Sequence, residues 1–172
     1  DSVISHAIQD SSFPGAQVCV VKDGAIVLNK SFGNQMYDEA VTGYGLQVTQ
    51  LTTHNSPITN STMYDLASLT KVIVTTSAIM KLYEAQQLGL NDLVVKFIPE
   101  FGNHGKEKIT IRNLLLHNSG LPAFKRLYAV CKTPQEVLDS VFQTKLVYQT
   151  DDSTVYSDFG FITLGKIVER IT

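Results

Sequence analysis

Cysteine is scarce in this 172-residue sequence: there are only two, Cys19 and Cys131. Two cysteines cannot make a disulfide framework, and their wide separation fits no metal motif. Two buried free thiols are the expectation. The four histidines, His6, His54, His104 and His117, are equally scattered, so no metal is expected. Charge of one sign is lacking too. The net charge is −2 and the basic residues are spread along the chain, which leaves no electrostatic footprint for nucleic acid or for an acidic membrane surface. No apolar run approaches the length needed to cross a bilayer, so no transmembrane segment is expected. Asp1 opens the chain without a charged n-region and an apolar h-region, so a signal peptide is expected to have been removed or never present. Internal repeats, low-complexity tracts and obvious linkers are absent. An apolar fraction of 44% and this length suit one ordinary globular domain.

What is present is concentrated at Ser68-Leu69-Thr70-Lys71, which opens an apolar run. Val72, Ile73, Thr76, Ile79, Met80 and Tyr83 recur at i, i+3 and i+4, the pattern of a helix buried on that side. Residues three apart share a helix face, so the Lys71 amine can reach the Ser68 hydroxyl. A serine at a helix start also lies where free N–H groups and the helix dipole favour negative charge. A lysine among apolar neighbours is pushed toward its neutral, basic form. Ser68 therefore reads either as a helix N-cap or as a nucleophile carrying its own base.

The rest of the chain divides by pattern. Val3 to Ile8 is a short candidate helix. Gln17 to Val21 and Ala25 to Phe32 are β-rich runs joined by Lys22-Asp23-Gly24, and an Asp-Gly pair between such runs signals a hairpin. Gly33 to Asn60 has little periodicity and reads as a long loop with one short strand. Asn91 or Asp92 can cap a short helix that stops before Pro99, and a further helix starts at Thr110-Ile111-Arg112-Asn113 and ends near Asn118-Ser119-Gly120. Thr133-Pro134-Gln135-Glu136 is a capping box with proline in the first turn, and Val137, Leu138, Val141 and Phe142 form the apolar face behind it. Phe161, Leu164, Val168 and Ile171 make the stripe of a last helix. Just before that helix stands Val155-Tyr156-Ser157-Asp158-Phe159-Gly160-Phe161.

Five collinear segments together carry a family resemblance: Pro14-Gly15-Ala16 before the hairpin; Ser61-Thr62-Met63-Tyr64-Asp65-Leu66-Ala67 before the Ser-x-x-Lys; Leu90-Asn91-Asp92-Leu93 with Phe97-Ile98-Pro99-Glu100-Phe101; Ile111 to Pro122; and the Tyr156 motif. The chain resembles the serine β-lactamase and penicillin-binding-protein superfamily, in the branch of class C β-lactamases, D-Ala-D-Ala carboxypeptidases and related esterases. The resemblance implies an α+β fold of α/β/α sandwich type, an antiparallel sheet flanked by helices with a helical lobe. Residues 1–172 would form the N-terminal part of that one domain, with helix, hairpin and loop over 1–60 and the nucleophile helix and lobe over 61–172. The C-terminal strands of the family, with its Lys-Thr-Gly or His-x-Gly motif and one oxyanion donor, have no counterpart up to Thr172. The resemblance therefore implies a fragment of a longer hydrolase, its hairpin left to pair with that further part or with another chain, or to show an uncovered apolar face.

The resemblance also implies roles. Ser68 would be the nucleophile, and Lys71 and Tyr156 the groups that move its proton. No cofactor would be needed. Position 158, usually asparagine, would bind the substrate's amide carbonyl. Asp158 departs from this, since an ionised carboxylate cannot donate to a carbonyl and favours a protonated lysine. Either Asp158 turns away, or Lys71 is mainly a cation and Tyr156 carries more of the base role; both suit an esterase or amidase better than an efficient β-lactamase. His117-Asn118-Ser119-Gly120 reads as a helix end with Gly120 in the left-handed conformation. Phe124, Tyr128 and Tyr148 either wall the cleft or belong to the core. The leading expectation is a serine hydrolase acting through a Ser68 acyl-enzyme on a small-molecule or peptide substrate: a cell-wall D-Ala peptide, a β-lactam or a carboxylic ester. The alternative is a catalytically impaired pseudo-hydrolase or binding module of the same fold. The family also suggests a periplasmic or secreted location.

Overall fold

The computed structural model describes residues 1–37 and 56–172. The chain forms two compact units, Asp1–Asp65 and Leu66–Thr172. Most of the Gly33–Asn60 stretch read as a loop, and His54 with it, lies outside the described residues.

In the first unit, helix α1 (Ser2–Gln9) precedes an antiparallel pair, β1 (Gly15–Lys22) and β2 (Ala25–Gly33). The register runs from Gly15 opposite Gly33 to Lys22 opposite Ala25, with an irregularity between Val20 and Val21. Asp23 and Gly24 both take positive φ, 50° and 79°. That is the turn whose twist matches paired strands, and it explains why Asp-Gly stands there. Among the described residues of this unit, Ile58 is the buried apolar one. At the hairpin's outer end Val20, Val21, Ile26 and Val27 are exposed, an uncovered apolar surface. Cys19 is free and exposed, and Cys131 free and half-buried. The expectation of buried thiols fails, for Cys19 because it lies on this uncovered part of β1.

The second unit holds the core. Ile79, Leu82, Val94, Ile98, Phe101, Ile109, Ile111, Leu114, Leu121, Val141, Phe142, Phe159, Leu164 and Ile167 pack as one apolar cluster. Its helices are α2 (Thr76–Glu84), α3 (Ile111–Leu115), α4 (Pro134–Phe142) and α5 (Asp158–Ile171). Local sequence accounts for the helix starts. Thr110 and Asn113 form a reciprocal capping box at α3. Thr133 Oγ1 accepts Glu136 N–H at α4, and Ser157 Oγ accepts Gly160 N–H at α5. At α4 the box is only half made, because the Glu136 carboxylate takes Lys132 N–H instead.

Three expectations need correction. Residues 91–98 form a short 3-10 turn, Val94–Lys96, rather than a capped helix, and the Asp92 carboxylate accepts Gly89 N–H and pairs with Lys96. Helix α3 ends at Leu115, short of Asn118-Ser119-Gly120; Gly120 is left-handed as expected (φ 87°), but the left-handed residue that closes the helix is His117 (φ 59°). The third concerns the buried side of the nucleophile helix. Val72, Ile73, Met80 and Tyr83 are exposed, while Lys71, Thr75, Ala78, Ile79 and Leu82 form the covered stripe. The run is apolar nearly all round, so periodicity could not choose a face. A five-residue π-helical turn, Lys71–Thr75, also shifts the phase against a 3.6-residue count.

Candidate active site

Ser68 sits where the chain enters the nucleophile helix. Ala67 just before it holds a left-handed φ of 44°, which an alanine adopts at a cost of about 1–3 kcal/mol. The next N–H groups, of Leu69, Thr70 and Lys71, bond to the carbonyls of Leu66, Ala67 and Ser68 and start the helix in tight turns. Ser68 is not an N-cap in this arrangement. Its Oγ instead accepts a hydrogen bond from Lys71 Nζ at 3.2 Å. The π turn begins at Lys71, whose carbonyl takes both the N–H and the hydroxyl of Thr76.

Tyr156 and Asp158 arrive from the other end of the unit, at the start of α5. Ser157 fixes that start with three bonds: its Oγ accepts Gly160 N–H, its hydroxyl donates to Pro122 O at 2.7 Å, and its N–H donates to His117 Nδ1 at 3.0 Å. Asp158 is the first residue of the helix, where the dipole favours a carboxylate. Its Oδ1 lies 2.7 Å from Lys71 Nζ, so it does not turn away. The Lys71 ammonium is also 4.7 Å from the centre of the Tyr156 ring, and the phenol is near enough to Lys71 and Ser68 for both to pull its pKa down. Tyr156 remains half exposed, open to an incoming molecule.

The charges follow from this geometry. Burial opposes the ammonium of Lys71, but the hydrogen bonds and charges of Asp158 and Tyr156 outweigh it and hold the pKa above the ordinary lysine value. Hydrogen bonding to Lys71, then to Ser68, pulls the Tyr156 phenol below its usual value, with the Lys71 charge adding to this. Burial, and then the Lys71 charge, push the His117 imidazole down; Asp158 acts the other way. Of the two alternatives at position 158, the geometry selects a cationic lysine.

Sequence reasoning assigned His117 a structural part only and missed its place beside Tyr156. The one local signal was a histidine where glycine commonly ends a helix. Of the aromatic residues proposed as wall or core, Phe124 and Tyr128 are exposed, and Tyr148 is half-buried with its hydroxyl donating to His117 O at 3.3 Å. Among the described residues, no three His, Cys, Asp or Glu side chains gather as a metal site.

A serine and lysine one helical turn apart, joined from the start of a later helix by a tyrosine, belong to the β-lactamase and penicillin-binding-protein type of fold. The family model named Beta-lactamase matches residues 1–172, and the chain belongs to that family. It is 34% identical to a protein of Salmonella agona named "Putative D-alanyl-D-alanine carboxypeptidase", over 95% of this chain. It spans only 39% of that relative's length. Among solved structures, the octameric penicillin-binding protein homologue from Pyrococcus abyssi superposes with a TM-score of 0.75 at 28% identity, over 99% of this chain and 38% of that one. A class C β-lactamase gives the same TM-score at 21% identity, over 99% of this chain and 43% of its own, a likeness of fold alone.

Proposed function

We propose that this chain carries the nucleophile and the base of a serine hydrolase that works through an acyl-enzyme on Ser68. The observation that carries the reading is a single cluster: Ser68 Oγ at 3.2 Å from Lys71 Nζ, and the Tyr156 ring 4.7 Å from that same amine, where Lys71 and Ser68 lower the phenol pKa. The phenolate takes the Ser68 proton as Oγ attacks an ester or amide carbonyl. The phenol then returns that proton to the leaving oxygen or nitrogen as the carbonyl carbon–heteroatom bond breaks. Water then attacks the acyl carbon as it loses a proton to the same phenolate, and the phenol passes that proton to Ser68 Oγ as the ester bond breaks, releasing the acid and restoring Ser68. Lys71, held cationic by Asp158, stabilises the phenolate in both steps. A base supplied by tyrosine rather than lysine suits carboxylic esters and small amides, and the names of the relatives make a D-alanyl peptide the first amide to try.

A fluorophosphonate probe tests this directly, because only an activated serine becomes covalently labelled. Intact-mass analysis should show one adduct on the chain and none after Ser68→Ala. A folded chain that stays unlabelled would refute the hydrolase reading. It would leave the binding-module alternative, which the lysine–aspartate pair favours by keeping Lys71 from acting as a base.

A further inference from the structure

Tyr156 has one close companion whose part in the site has not been assigned. His117 contacts the segment carrying Tyr156 at three points. Its carbonyl accepts Val155 N–H at 2.9 Å, and its Nδ1 accepts Ser157 N–H at 3.0 Å. Its ring lies 4.7 Å from the Tyr156 ring, centroid to centroid, tilted by 35°. The residues on both sides of Tyr156 are thus tied to one histidine, and the phenol ring rests against its imidazole. Phe161 packs on the imidazole as well, at 5.1 Å.

The backbone gives a second, independent sign. His117 N–H bonds to Leu114 O and Asn118 N–H to Asn113 O, the paired bonds of a Schellman helix end with His117 in the left-handed position. Glycine fills that position without conformational cost, whereas a histidine there carries one. The left-handed backbone also directs the imidazole to Ser157 rather than along α3. A backbone N–H can only donate, so Nδ1 must be unprotonated and the neutral ring carries its proton on Nε2.

We propose that His117, as a neutral imidazole protonated on Nε2, is the positioning residue that holds the Tyr156 phenol against Ser68 and Lys71. This rests on the reading of Ser68 as nucleophile; the placement of Tyr156 can be measured without it. The charged and titratable groups facing the imidazole are Lys71 from the nucleophile helix, Asp158 from the start of α5, and the Tyr156 phenol; Tyr148 bonds its carbonyl. Burial and the Lys71 charge keep the ring neutral to lower pH than usual. Protonation turns Nδ1 into a donor, and the Ser157 N–H loses its partner.

Two variants separate positioning from helix capping. His117→Gly keeps the left-handed helix end and removes the acceptor and the ring. His117→Asn keeps that backbone, which asparagine tolerates, and puts an amide oxygen close to where Nδ1 was. Two quantities are read: the rate of Ser68 labelling by a fluorophosphonate, and the Tyr156 phenol titration followed by NMR of ring-labelled tyrosine. His117→Gly should still unfold in one cooperative transition, since relief of the left-handed strain offsets part of the cost of the unpaired Ser157 N–H. It should nonetheless label about 10- to 100-fold more slowly, as expected when a reacting group is misplaced. Its Tyr156 phenol should titrate at higher pH than in the parent. His117→Asn should hold both quantities within about threefold of the parent rate and near the parent titration. The parent's labelling rate should fall more steeply once pH drops below the His117 pKa, a steepening lost in His117→Asn. Unmoved labelling and phenol titration in His117→Gly overturn the proposal, as does His117→Asn behaving like His117→Gly. If the parent chain is not labelled at all, the hydrolase reading fails. The phenol titration then decides on His117 alone: moved in His117→Gly it upholds the positioning, unmoved it overturns it.

Discussion

Replacing Lys106 by methionine should loosen the unit that carries the site. Lys106 is fully buried, and its Nζ donates to Asn103 Oδ1 at 2.8 Å, Phe142 O at 2.8 Å and Thr144 O at 2.7 Å. Two of these acceptors are carbonyls at the C-terminal end of α4, where a cation also meets the helix dipole favourably. Three N–H donors meet three acceptors, which is the arrangement of an ammonium. Methionine fills similar volume and donates nothing. Each buried acceptor left without a donor costs about 1–3 kcal/mol, or about 6 kcal/mol for the three. Against this stands relief from burying the charge, which pushes the Lys106 pKa from 10.5 down to about 8 and is worth about 3 kcal/mol. The net expectation is a loss of about 3 kcal/mol at neutral pH, a large share of a typical domain's stability. Urea unfolding of parent and Lys106→Met measures it. The pH dependence adds a sign. Below about 8 the amine is charged whether the chain is folded or not. Between about 8 and 10.5 the unfolded chain keeps a proton that the folded one has released, so the parent's stability rises with pH through that window and the variant's does not. A variant as stable as the parent at neutral pH, or a gap that stays flat through that window, would mean that the Lys106 ammonium and its three bonds do not hold this unit together.

Asp158→Asn removes a carboxylate whose charge pushes the Tyr156 phenol up, so Ser68 labelling should begin to rise at lower pH; an unchanged pH profile would mean that Asp158 does not act on the phenol. The stability contributed by the Lys71–Asp158 pair is fully present below 10.5 and is lost as pH rises through the raised Lys71 value, so the variant's deficit in urea unfolding should vanish at high pH. Tyr156→Phe removes the proposed base and should slow Ser68 labelling by about 10²–10⁴-fold with little change in melting; labelling at the parent rate would return the base role to Lys71. Gly120→Ala should destabilise by more than about 2 kcal/mol, since φ is 87° and a Cβ there would lie 2.4 Å from Tyr148 O; a melting curve like the parent's would show that the turn relaxes.

Much of the second unit could be read from local pattern because local chemistry makes it. Thr110, Thr133 and Ser157 cap the helices they precede because each side-chain oxygen reaches an N–H only three residues on. The Asp23-Gly24 turn depends on two residues that accept positive φ. Ser68 and Lys71 meet because they lie one helical turn apart.

What local pattern could not reach is what depends on distant partners. Lys106 finds two of its three acceptors 36 and 38 residues away, and nothing around it in the sequence announces that. The covered side of the nucleophile helix was misread because its apolar residues lie on more than one face, and only the packing of α5 decides which is buried. Asp158 could be argued either toward Lys71 or away from it, since residue type sets what a carboxylate does to a lysine but not whether the two meet. His117 and Ser157 stand 40 residues apart, and their contact exists because one helix ends in a left-handed turn beside the start of another. Residue types and short-range pattern set the chemistry available here: a serine, an amine, a phenol and a carboxylate, on elements whose caps and turns are encoded within a few residues. The tertiary structure alone decided their charges and their company, because pKa values and long-range hydrogen bonds depend on distance through space, which periodicity along the chain does not record.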